Sequence, residues 1–153
     1  MVIKKATMMD FEEIHAIFEE VHDLHQQNEK KTFKKVDPFT KEEFELLLAD
    51  KNNFFLVAEE IKIIGFINAF ISVKEGRHTK KRKTMHIEPL GVKRTEHNRG
   101  IGTNLIEEIK EIAKLNKCDN IVLDVWSFND SAIEFYKKKG FKEKKTEKSG
   151  TSS

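Results

Sequence analysis

The sequence predicts one mixed α/β domain, and three stretches support this prediction. Residues 85–113 have the pattern of a strand, a glycine-containing turn and a helix whose apolar residues share one face. Residues 53–73 contain two runs of strand-forming residues joined by a short charged turn, which is typical of a hairpin. Residues 121–126 are nearly all apolar, as in a strand covered on both faces. The predicted order is strand, two helices, three strands, helix, strand, helix, strand.

The N-terminal third is predicted to contain one strand and two helices. Residues 2–6 form the short first strand. Asp10 can cap the helix that follows, in which apolar residues make a continuous stripe. Residues 28–38 are polar and lysine-rich and predict a loop or a frayed helix end. Thr40 and Glu43 form a Thr-x-x-Glu capping box at the start of the second helix.

The C-terminal part is predicted to end in a helix and a short strand. Ser131-x-x-Glu134 is a second capping box, and Gly140 has the pattern of a helix stop. The last strand is predicted to be abbreviated or absent. We take residues 1–146 as a single domain and 147–153 as a disordered tail.

Length and composition favour a globular protein with a core of its own. Of the 153 residues, 38% are hydrophobic and 35% charged, and no apolar run is long enough to cross a bilayer. The first seven residues contain no apolar segment of the secretory kind. The single cysteine, Cys118, excludes an internal disulfide and a multi-cysteine metal site. We therefore expect a cytoplasmic location, no membrane partner, and a structural role for Cys118.

The formal net charge of +2 does not indicate nucleic-acid binding, and we expect no nucleic-acid partner. Positive charge is nevertheless concentrated in residues 74–83 and 142–148. Such runs are usually solvated loops or tails. The alternative for residues 74–83 is a surface that attracts an acidic partner or the phosphates of a cofactor.

The strongest functional signal is the turn at residues 97–102, His-Asn-Arg-Gly-Ile-Gly, which we call the phosphate turn. Between a strand and a helix, free backbone N–H groups and the positive end of the helix dipole favour an anion, usually phosphate. Glycine at 100 and 102 would let a pyrophosphate approach the main chain. The dinucleotide motif Gly-x-Gly-x-x-Gly is absent, because position 105 is Leu, and no Gly-Lys-Ser/Thr closes the turn.

Further residues extend this pattern: Glu88-Pro89-Leu90-Gly91-Val92 before the turn, and Asn129, Tyr136 and Gly140-Phe141 after it. With them, residues 54–141 resemble the GNAT superfamily of acetyl-CoA-dependent N-acetyltransferases. The resemblance implies an α/β fold with a central mixed, mostly antiparallel sheet flanked by about four helices, in which a splayed parallel strand pair holds the cofactor. The family's turn has the form Arg/Gln-x-x-Gly-x-Gly/Ala and carries the pyrophosphate of coenzyme A, whereas position 97 is His here.

Pro89 cannot donate to a strand ladder and therefore indicates an edge, a bulge or a break in pairing. The resemblance implies a bulge that parts two parallel strands, with the pantetheine arm of acetyl-CoA along the main chain of Leu90, Gly91 and Val92. It also implies pyrophosphate contacts at the phosphate turn, where Arg94 adds positive charge. The remaining cofactor-binding residues that it implies are His97, Asn98, Arg99, Gly100, Ile101, Gly102, Thr103, Asn129 and Tyr136.

Two residues are candidates for the catalytic chemistry. An amine with a pKa of about 10.4 is protonated near neutrality, so a base must take its proton directly or through a water. Glu88 is our candidate base, and His86, on the same strand face, is its rival. Tyr136, the only tyrosine, is the candidate that assists the leaving sulfur. Because full proton transfer from a tyrosine to a thiolate is uphill by about 2 kcal/mol, we expect Tyr136 to donate a hydrogen bond.

The first predicted helix carries a pair of histidines, His22-x-x-His25. No third ligand follows at a recognisable spacing, so we predict no metal site. Glu19, Glu20 and Asp23 lie near these histidines. Because the corresponding helix in GNAT folds encloses the substrate, we expect these carboxylates to form an acidic lip that attracts a cationic amine.

The predicted function is an acetyl-CoA-dependent N-acetyltransferase that releases coenzyme A after direct attack by a primary amine. The alternatives are a non-catalytic acyl-CoA-binding or regulatory module and a protein that binds another nucleotide. The acceptor stays open among polyamines, aminoglycosides, amino acids, protein N-termini and lysine side chains. A second copy of the chain is a candidate partner at the edge left by the short last strand.

Overall fold

The computed structural model describes residues 1–28, 39–77, 80–124, 135–138, 140, 142–144 and 150–152. Short 3-10 turns precede the first and third helices, and residues 135–138 are also helical. None of the described helices is long and apolar enough to cross a bilayer. The named elements are β1 (Val2–Lys5), α1 (Phe11–Asn28), α2 (Lys41–Ala49), β2 (Asn53–Glu59), β3 (Ile63–Lys74), β4 (Arg82–Val92), α3 (Ile101–Leu115), β5 (Asn120–Asp124), β6 (Lys142–Lys144) and β7 (Gly150–Ser152).

The strands form one sheet in the order β1-β2-β3-β4-β5-β7-β6. Every neighbouring pair is antiparallel except β4 and β5, which are parallel. α3 is the crossover that a parallel pair requires. The predicted fold class is therefore confirmed: a mixed, mostly antiparallel sheet with helices around it and one parallel strand pair.

The end of the chain differs from the sequence prediction of a disordered tail from residue 147. Gly150–Ser152 forms β7, which pairs with β5 from Val122↔Ser152 to Asp124↔Gly150. β6 and β7 have three residues each, so the last part of the sheet is abbreviated. The polar composition of the tail does not predict a strand. The backbone of β5, however, needs hydrogen-bond partners on its free side, and any backbone can provide them whatever its side chains are.

α1 and α2 pack on one face of the sheet. Ile14 and Ile17 of α1 are fully buried there, as the apolar stripe of this helix predicts. Phe44 of α2 meets Phe55 of β2 edge to face, with ring centroids 5.1 Å apart, and Phe55 stacks on Phe66 of β3 at 5.8 Å. Burial of each such side chain stabilises the fold by about 1.5–3 kcal/mol, so this cluster fixes both helices over β2 and β3.

α3 packs on the opposite face, through the apolar residues whose spacing predicts the helix. They meet Met85 and Ile87 of β4 and Leu123 of β5 in a second buried cluster. The packing holds the first turn of α3 beside the end of β4. The buried residues of α3 are Ile101, Leu105, Ile106, Ile109 and Ala113.

The helix starts match the capping predictions in one case and differ in the other. Thr40 caps α2, because its Oγ1 accepts a hydrogen bond from Glu43 N at 3.2 Å. Asp10 does not act as the N-cap of α1. Its carboxylate accepts from the backbone N–H of Thr7 at 2.9 Å and closes the 3-10 turn before the helix.

Candidate functional site

A β-bulge in β4 precedes the phosphate turn. The β3–β4 register shifts between Ile67 and Ala69, so that Asn68 lies opposite two residues of β4, Glu88 and Pro89. Of the three explanations that the sequence leaves open for Pro89, the structure therefore selects the bulge.

The described parallel ladder between β4 and β5 extends up to this bulge. It runs from Thr84↔Asn120 to Ile87↔Leu123, and residues 88–92 of β4 pair with no described residue of β5. The main chain of these five residues therefore lacks ladder bonds on one side within the described structure. The resemblance implies that the two strands splay beyond this point, and residues 125–130, which follow β5, lie outside the described residues.

Asn68, which the sequence analysis does not identify, holds the bulge in place. Its side chain is 4% exposed, and its Nδ2 donates to the backbone oxygen of Glu88 at 3.1 Å. Asn53 Nδ2 in turn donates to Asn68 Oδ1 at 2.8 Å. The bulge takes the Glu88 carbonyl out of the regular ladder, and Asn68 satisfies it. The available signal was a polar residue inside the apolar run of β3.

Gly91 lies at the position predicted to contact the pantetheine arm, and packing explains why it is glycine. A Cβ there would lie 2.5 Å from Phe66 Cε1 and 3.3 Å from Ile17 Cγ2. Leu90 and Val92, by contrast, pack against the cluster on the α3 side. Leu90 and Val92 are thus partly buried on the α3 side, and Gly91 brings main chain close to the opposite cluster.

The phosphate turn leads into a helix whose N-cap residue has no side chain. Gly100 is the N-cap of α3 with φ of 77°, and no described side chain caps the helix. The first turn has no acidic residue, and the first backbone bond runs from Asn104 N to Gly100 O at 3.0 Å. The N–H groups of Ile101, Gly102 and Thr103 precede that bond and have no acceptor within the helix, which is the geometry that an anion site requires.

The two glycines of the turn have different reasons to be glycine. At Gly100 a Cβ would meet nothing within 4 Å, so the requirement is the positive φ. At Gly102 a Cβ would lie 3.3 Å from Phe135 Cζ. The sequence predicts that glycine at this position makes room for a pyrophosphate, but the space on the Cβ side of Gly102 faces the Phe135 ring. Gly102 therefore lets the helical segment 135–138 pack against the start of α3.

His97 is exposed and turns back toward β4. Its Nε2 lies 3.0 Å from Val92 O, which joins the phosphate turn to the strand before it. The histidine at the position where the family has Arg or Gln thus contacts the main chain of the predicted cofactor segment.

The positive side chains near the turn are paired with carboxylates. Arg99 donates to Glu60 through Nη1 and Nη2, at 3.0 and 2.6 Å, and to Glu96 at 2.6 Å. These hydrogen bonds raise the pKa of Arg99 and lower the pKa of Glu60. Arg94 lies beside Glu20, whose Oε1 accepts from Arg94 N at 2.6 Å. The positive charge predicted at Arg94 and Arg99 is largely balanced, which leaves the main-chain N–H groups as the anion donors.

Tyr136 is buried on the α3 side, with 7% of its surface exposed. Its ring meets Phe135 edge to face at 5.4 Å. Burial raises the pKa of the phenol, so the hydroxyl keeps its proton near neutrality and can act as a hydrogen-bond donor. Asn129, the other predicted residue of this segment, lies outside the described residues.

The two candidate bases lie on the other side of the sheet. His86 stacks on Phe70 with centroids 4.7 Å apart, and its Nε2 lies 2.7 Å from Ser72 Oγ. Glu88 is exposed and lies in the bulge. The structure therefore places the two rival bases near each other on β4, and Tyr136 across the sheet from both.

The expected acidic lip on α1 is largely engaged in local contacts. Glu20 accepts from Arg94 N, in the 3-10 turn that precedes the phosphate turn, and Glu19 lies 3.4 Å from His15. Asp23, His22 and His25 lie in α1, and their side chains are outside the described part of the structure. Among the described residues, no three His, Cys, Asp or Glu side chains are grouped as metal ligands.

Cys118 lies between α3 and β5 and is partly exposed. Its backbone N–H donates to Ala113 O at 2.9 Å, and its side chain packs against the α3-side cluster. Partial burial raises the pKa of the thiol, which disfavours a reactive thiolate. These contacts agree with the structural role that the sequence analysis expects.

Several known proteins are similar to this chain in sequence or in fold. An uncharacterized N-acetyltransferase of Methanocaldococcus jannaschii, MJ1207, is 35% identical over 106 residues, which are 67% of this chain and 45% of that protein. The chain thus spans about half the length of this relative. The structure of a mutant of the BH1408 protein of Bacillus halodurans superposes with a TM-score of 0.90 at 27% identity and covers 95% of this chain and 96% of its own.

A PaiA N-acetyltransferase of Thermoplasma acidophilum, solved in complex with coenzyme A, has the same fold, with a TM-score of 0.83 at 19% identity over 99% of this chain and 97% of its own. The family model for the acetyltransferase (GNAT) family matches residues 15–141, which include the bulge, the phosphate turn and Tyr136. With this match over most of its length, the chain belongs to the GNAT acetyltransferase family.

Proposed function

We propose that the chain is an N-acetyltransferase that moves an acetyl group from acetyl-CoA to a primary amine by direct attack. One observation carries the proposal. The described parallel ladder stops at the bulge at Glu88–Pro89, and the same strand leads through the phosphate turn to the start of α3 at Ile101, where Gly100 provides no side-chain cap. A gap between parallel strands that leads to free N–H groups fits a thioester on a long arm with a diphosphate at its other end.

The residues present fit coenzyme A. Gly100 leaves open space at the helix start, and residues 88–92 offer main chain along the gap. The coenzyme A complex of the PaiA N-acetyltransferase, a protein of the same fold, supports this cofactor. We assign the pantetheine arm to Leu90, Gly91 and Val92. The residues that we assign to the diphosphate and the rest of the cofactor are His97, Asn98, Arg99, Gly100, Ile101, Gly102, Thr103, Asn129 and Tyr136.

Bound acetyl-CoA supplies an activated acetyl thioester, which an amine converts to an amide with release of the coenzyme A thiol. Glu88 accepts the proton of the incoming ammonium, directly or through a water, because only the neutral amine has a free electron pair. Tyr136 donates a hydrogen bond to the leaving sulfur. Because burial raises the pKa of its phenol, complete proton transfer to a thiolate is unfavourable, and hydrogen bonding is the role that the site supports.

Binding and turnover are tested separately. Coenzyme A should raise the melting temperature, whereas ATP and NAD should not. Acetyl-CoA with a panel of amines should release thiol. Stabilisation without thiol release from any amine would favour the alternative, a non-catalytic acyl-CoA-binding or regulatory module.

The phosphate turn offers a matched pair of variants at Gly100. Asp and Asn both tolerate a positive φ, but only Asp brings a carboxylate to the start of α3. Gly100→Asp should abolish stabilisation by coenzyme A, because its negative charge at the helix start repels phosphate. Gly100→Asn should retain most of it. Equal binding by both variants and the wild type would place the cofactor elsewhere.

A further inference from the structure

β3 and β4 continue past the bulge in the direction away from the phosphate turn. Alternation along these paired strands puts Phe70, Ser72 and Lys74 of β3 on the same face as Arg82 and His86 of β4. We call these five residues the open strip. The stacking of Phe70 on His86 and the 2.7 Å contact between Ser72 and His86 confirm that they share a face.

The open strip lies on the face that α1 and α2 cover, and its exposure rises along β3. Phe66 is buried beneath them at 1% exposure, whereas Phe70, four residues further along β3, is 37% exposed. Lys74 and Arg82 are exposed as well. A partly apolar surface therefore continues from the aromatic cluster into solvent.

The candidate base lies at the inner end of the open strip. Ile87 and Leu90, on either side of the bulge, both pack toward α3, so Glu88 between them lies on the face of the strip. Arg82 is six residues before Glu88 in β4. At about 3.3 Å per residue, the strip extends about 20 Å from the candidate base.

The outer end of the open strip is positive. Lys74 and Arg82 are opposite each other in the β3–β4 register, so their charges lie side by side. Neither forms an ion pair with a described residue. Glu75 is the acidic neighbour in the chain, and the surrounding residues 77–83 add further lysines and arginines.

We propose that the open strip is the acceptor-binding subsite and that it selects peptides with an Asp or Glu about five or six residues from the reacting amine. This inference rests on the proposed acetyl transfer. With the amine at Glu88, an extended peptide of that length reaches Lys74 and Arg82, since it spans about 3.3–3.6 Å per residue.

The charge of the open strip disfavours two of the other acceptors that the sequence leaves open, polyamines and aminoglycosides. A polyamine or an aminoglycoside with one amine at Glu88 would direct its remaining positive charges toward Lys74 and Arg82, and like charges repel. The exposed Phe70 ring offers apolar contact to a peptide side chain on the way. Complementary charge at the far end then fixes the direction of the bound chain.

The opposite face provides a matched control. Lys81 lines a cavity of about 430 Å³ with Val73, Lys83, Lys117 and Asp119. These residues lie near the same end of the sheet as Lys74 and Arg82, but on the α3 side. Lys74→Glu and Lys81→Glu therefore change the net charge equally, and only the first alters the open strip.

The test uses binding of an unreactive probe, so that it does not depend on turnover. Fluorescent peptides with a blocked N-terminus carry Glu, Gln or Lys at positions five and six. Their Kd is measured by anisotropy with and without coenzyme A. We expect the Glu peptide to bind most tightly and the Lys peptide least. In Lys74→Glu the Glu peptide should bind about three- to tenfold more weakly and the Lys peptide more tightly, with Lys81→Glu unchanged.

Two outcomes would overturn the inference. One is equal affinity for the three peptides. The other is an equal loss in Lys74→Glu and Lys81→Glu, which would indicate attraction by overall charge. Thiol release assays distinguish a failure of this inference from a failure of the proposed function. Peptide binding with the expected pattern but without thiol release would reject acetyl transfer only. Thiol release without a preference for charge would reject only the role of the open strip.

Discussion

Arg99 donates hydrogen bonds to both carboxylate oxygens of Glu60, at 3.0 and 2.6 Å, although the two residues are 39 positions apart. Glu60 lies in the turn between β2 and β3, and Arg99 lies in the phosphate turn. The pair therefore joins the proposed diphosphate site to the antiparallel half of the sheet. It also keeps a guanidinium next to the site while a carboxylate balances its charge.

Glu60→Gln should strengthen coenzyme A binding. The substitution removes one negative charge and frees Arg99 Nη2 to face the phosphates. Glu59→Gln is the matched control, because Glu59 pairs with Lys4 of β1 and changes the same net charge. Titration calorimetry at low salt should show a severalfold lower Kd for Glu60→Gln and no change for Glu59→Gln, and the difference should shrink as salt is raised.

The gain in coenzyme A affinity from Glu60→Gln should depend on pH through the pKa of Glu60. Arg99 lowers this pKa below the ordinary value of 4.5, so the ion pair is present above that value and is lost as pH falls through the lowered value. The difference between Glu60→Gln and the wild type should therefore be largest near neutrality and vanish in acid. Weaker coenzyme A binding by Glu60→Gln would mean that the pair serves to position the turn.

Asn68→Ala should destabilise the protein and weaken coenzyme A binding together. It removes the donor to the Glu88 carbonyl and one of the two acceptors of Asn53 Nδ2, which keeps Leu47 O. A buried polar group that loses its partner costs about 1–3 kcal/mol. Urea unfolding measures the loss, and Asn52→Ala on the exposed turn before β2 is the control. If Asn68→Ala lost stability but bound coenzyme A normally under conditions where it is folded, the bulge would not depend on this amide.

Much of the site can be predicted from the sequence because its signals are local. Pro89 has no N–H to donate, so the interruption of the ladder is a property of one residue. Gly100 marks the positive φ at the helix start in the same way. The apolar spacing of α3 and the hairpin of β2 and β3 are likewise patterns within short segments.

The features that the sequence does not reveal depend on distant residues. Asn68 matters because the bulge lies opposite it, and nothing near position 68 indicates that register. Phe135 fills the space at Gly102 from 33 residues downstream. β7 is recognisable only through the free side of β5, since its own composition is that of a tail.

Gly91→Ala should destabilise the protein by about 1–3 kcal/mol, because the added Cβ would lie 2.5 Å from Phe66 Cε1. Phe66→Leu removes the obstructing atoms. In a double-mutant cycle, Gly91→Ala should cost at least about 1 kcal/mol less in the Phe66→Leu background than in the wild type. Additive losses would show that the strain at Gly91 arises from the main chain and not from the Phe66 ring.

Tyr136→Phe should reduce kcat by a factor on the order of 100 while leaving coenzyme A affinity nearly unchanged, since it removes one donor to the developing charge on sulfur. The ring stays, so its contact with Phe135 and the packing in the α3-side cluster remain. Single-turnover kinetics measure the chemical step, and calorimetry with coenzyme A serves as the control for binding. A full-activity Tyr136→Phe enzyme would show that the hydroxyl has no part in thiol departure.

Glu88→Gln and His86→Gln should separate the two candidate bases through their pH profiles. If Glu88 is the base, kcat/KM of the wild type falls on the acid side with a pKa near that of a carboxyl group, whereas a histidine base would place this limb near 6.5. Glu88→Gln should lose most of its activity at neutral pH. As pH approaches the pKa of the acceptor amine, the free amine forms without help, and the ratio of wild-type to Glu88→Gln activity should fall toward one. A ratio that stays constant up to that pH would mean that Glu88 contributes to binding or stability and not to proton removal. Loss of the acid limb in His86→Gln would identify His86 as the base.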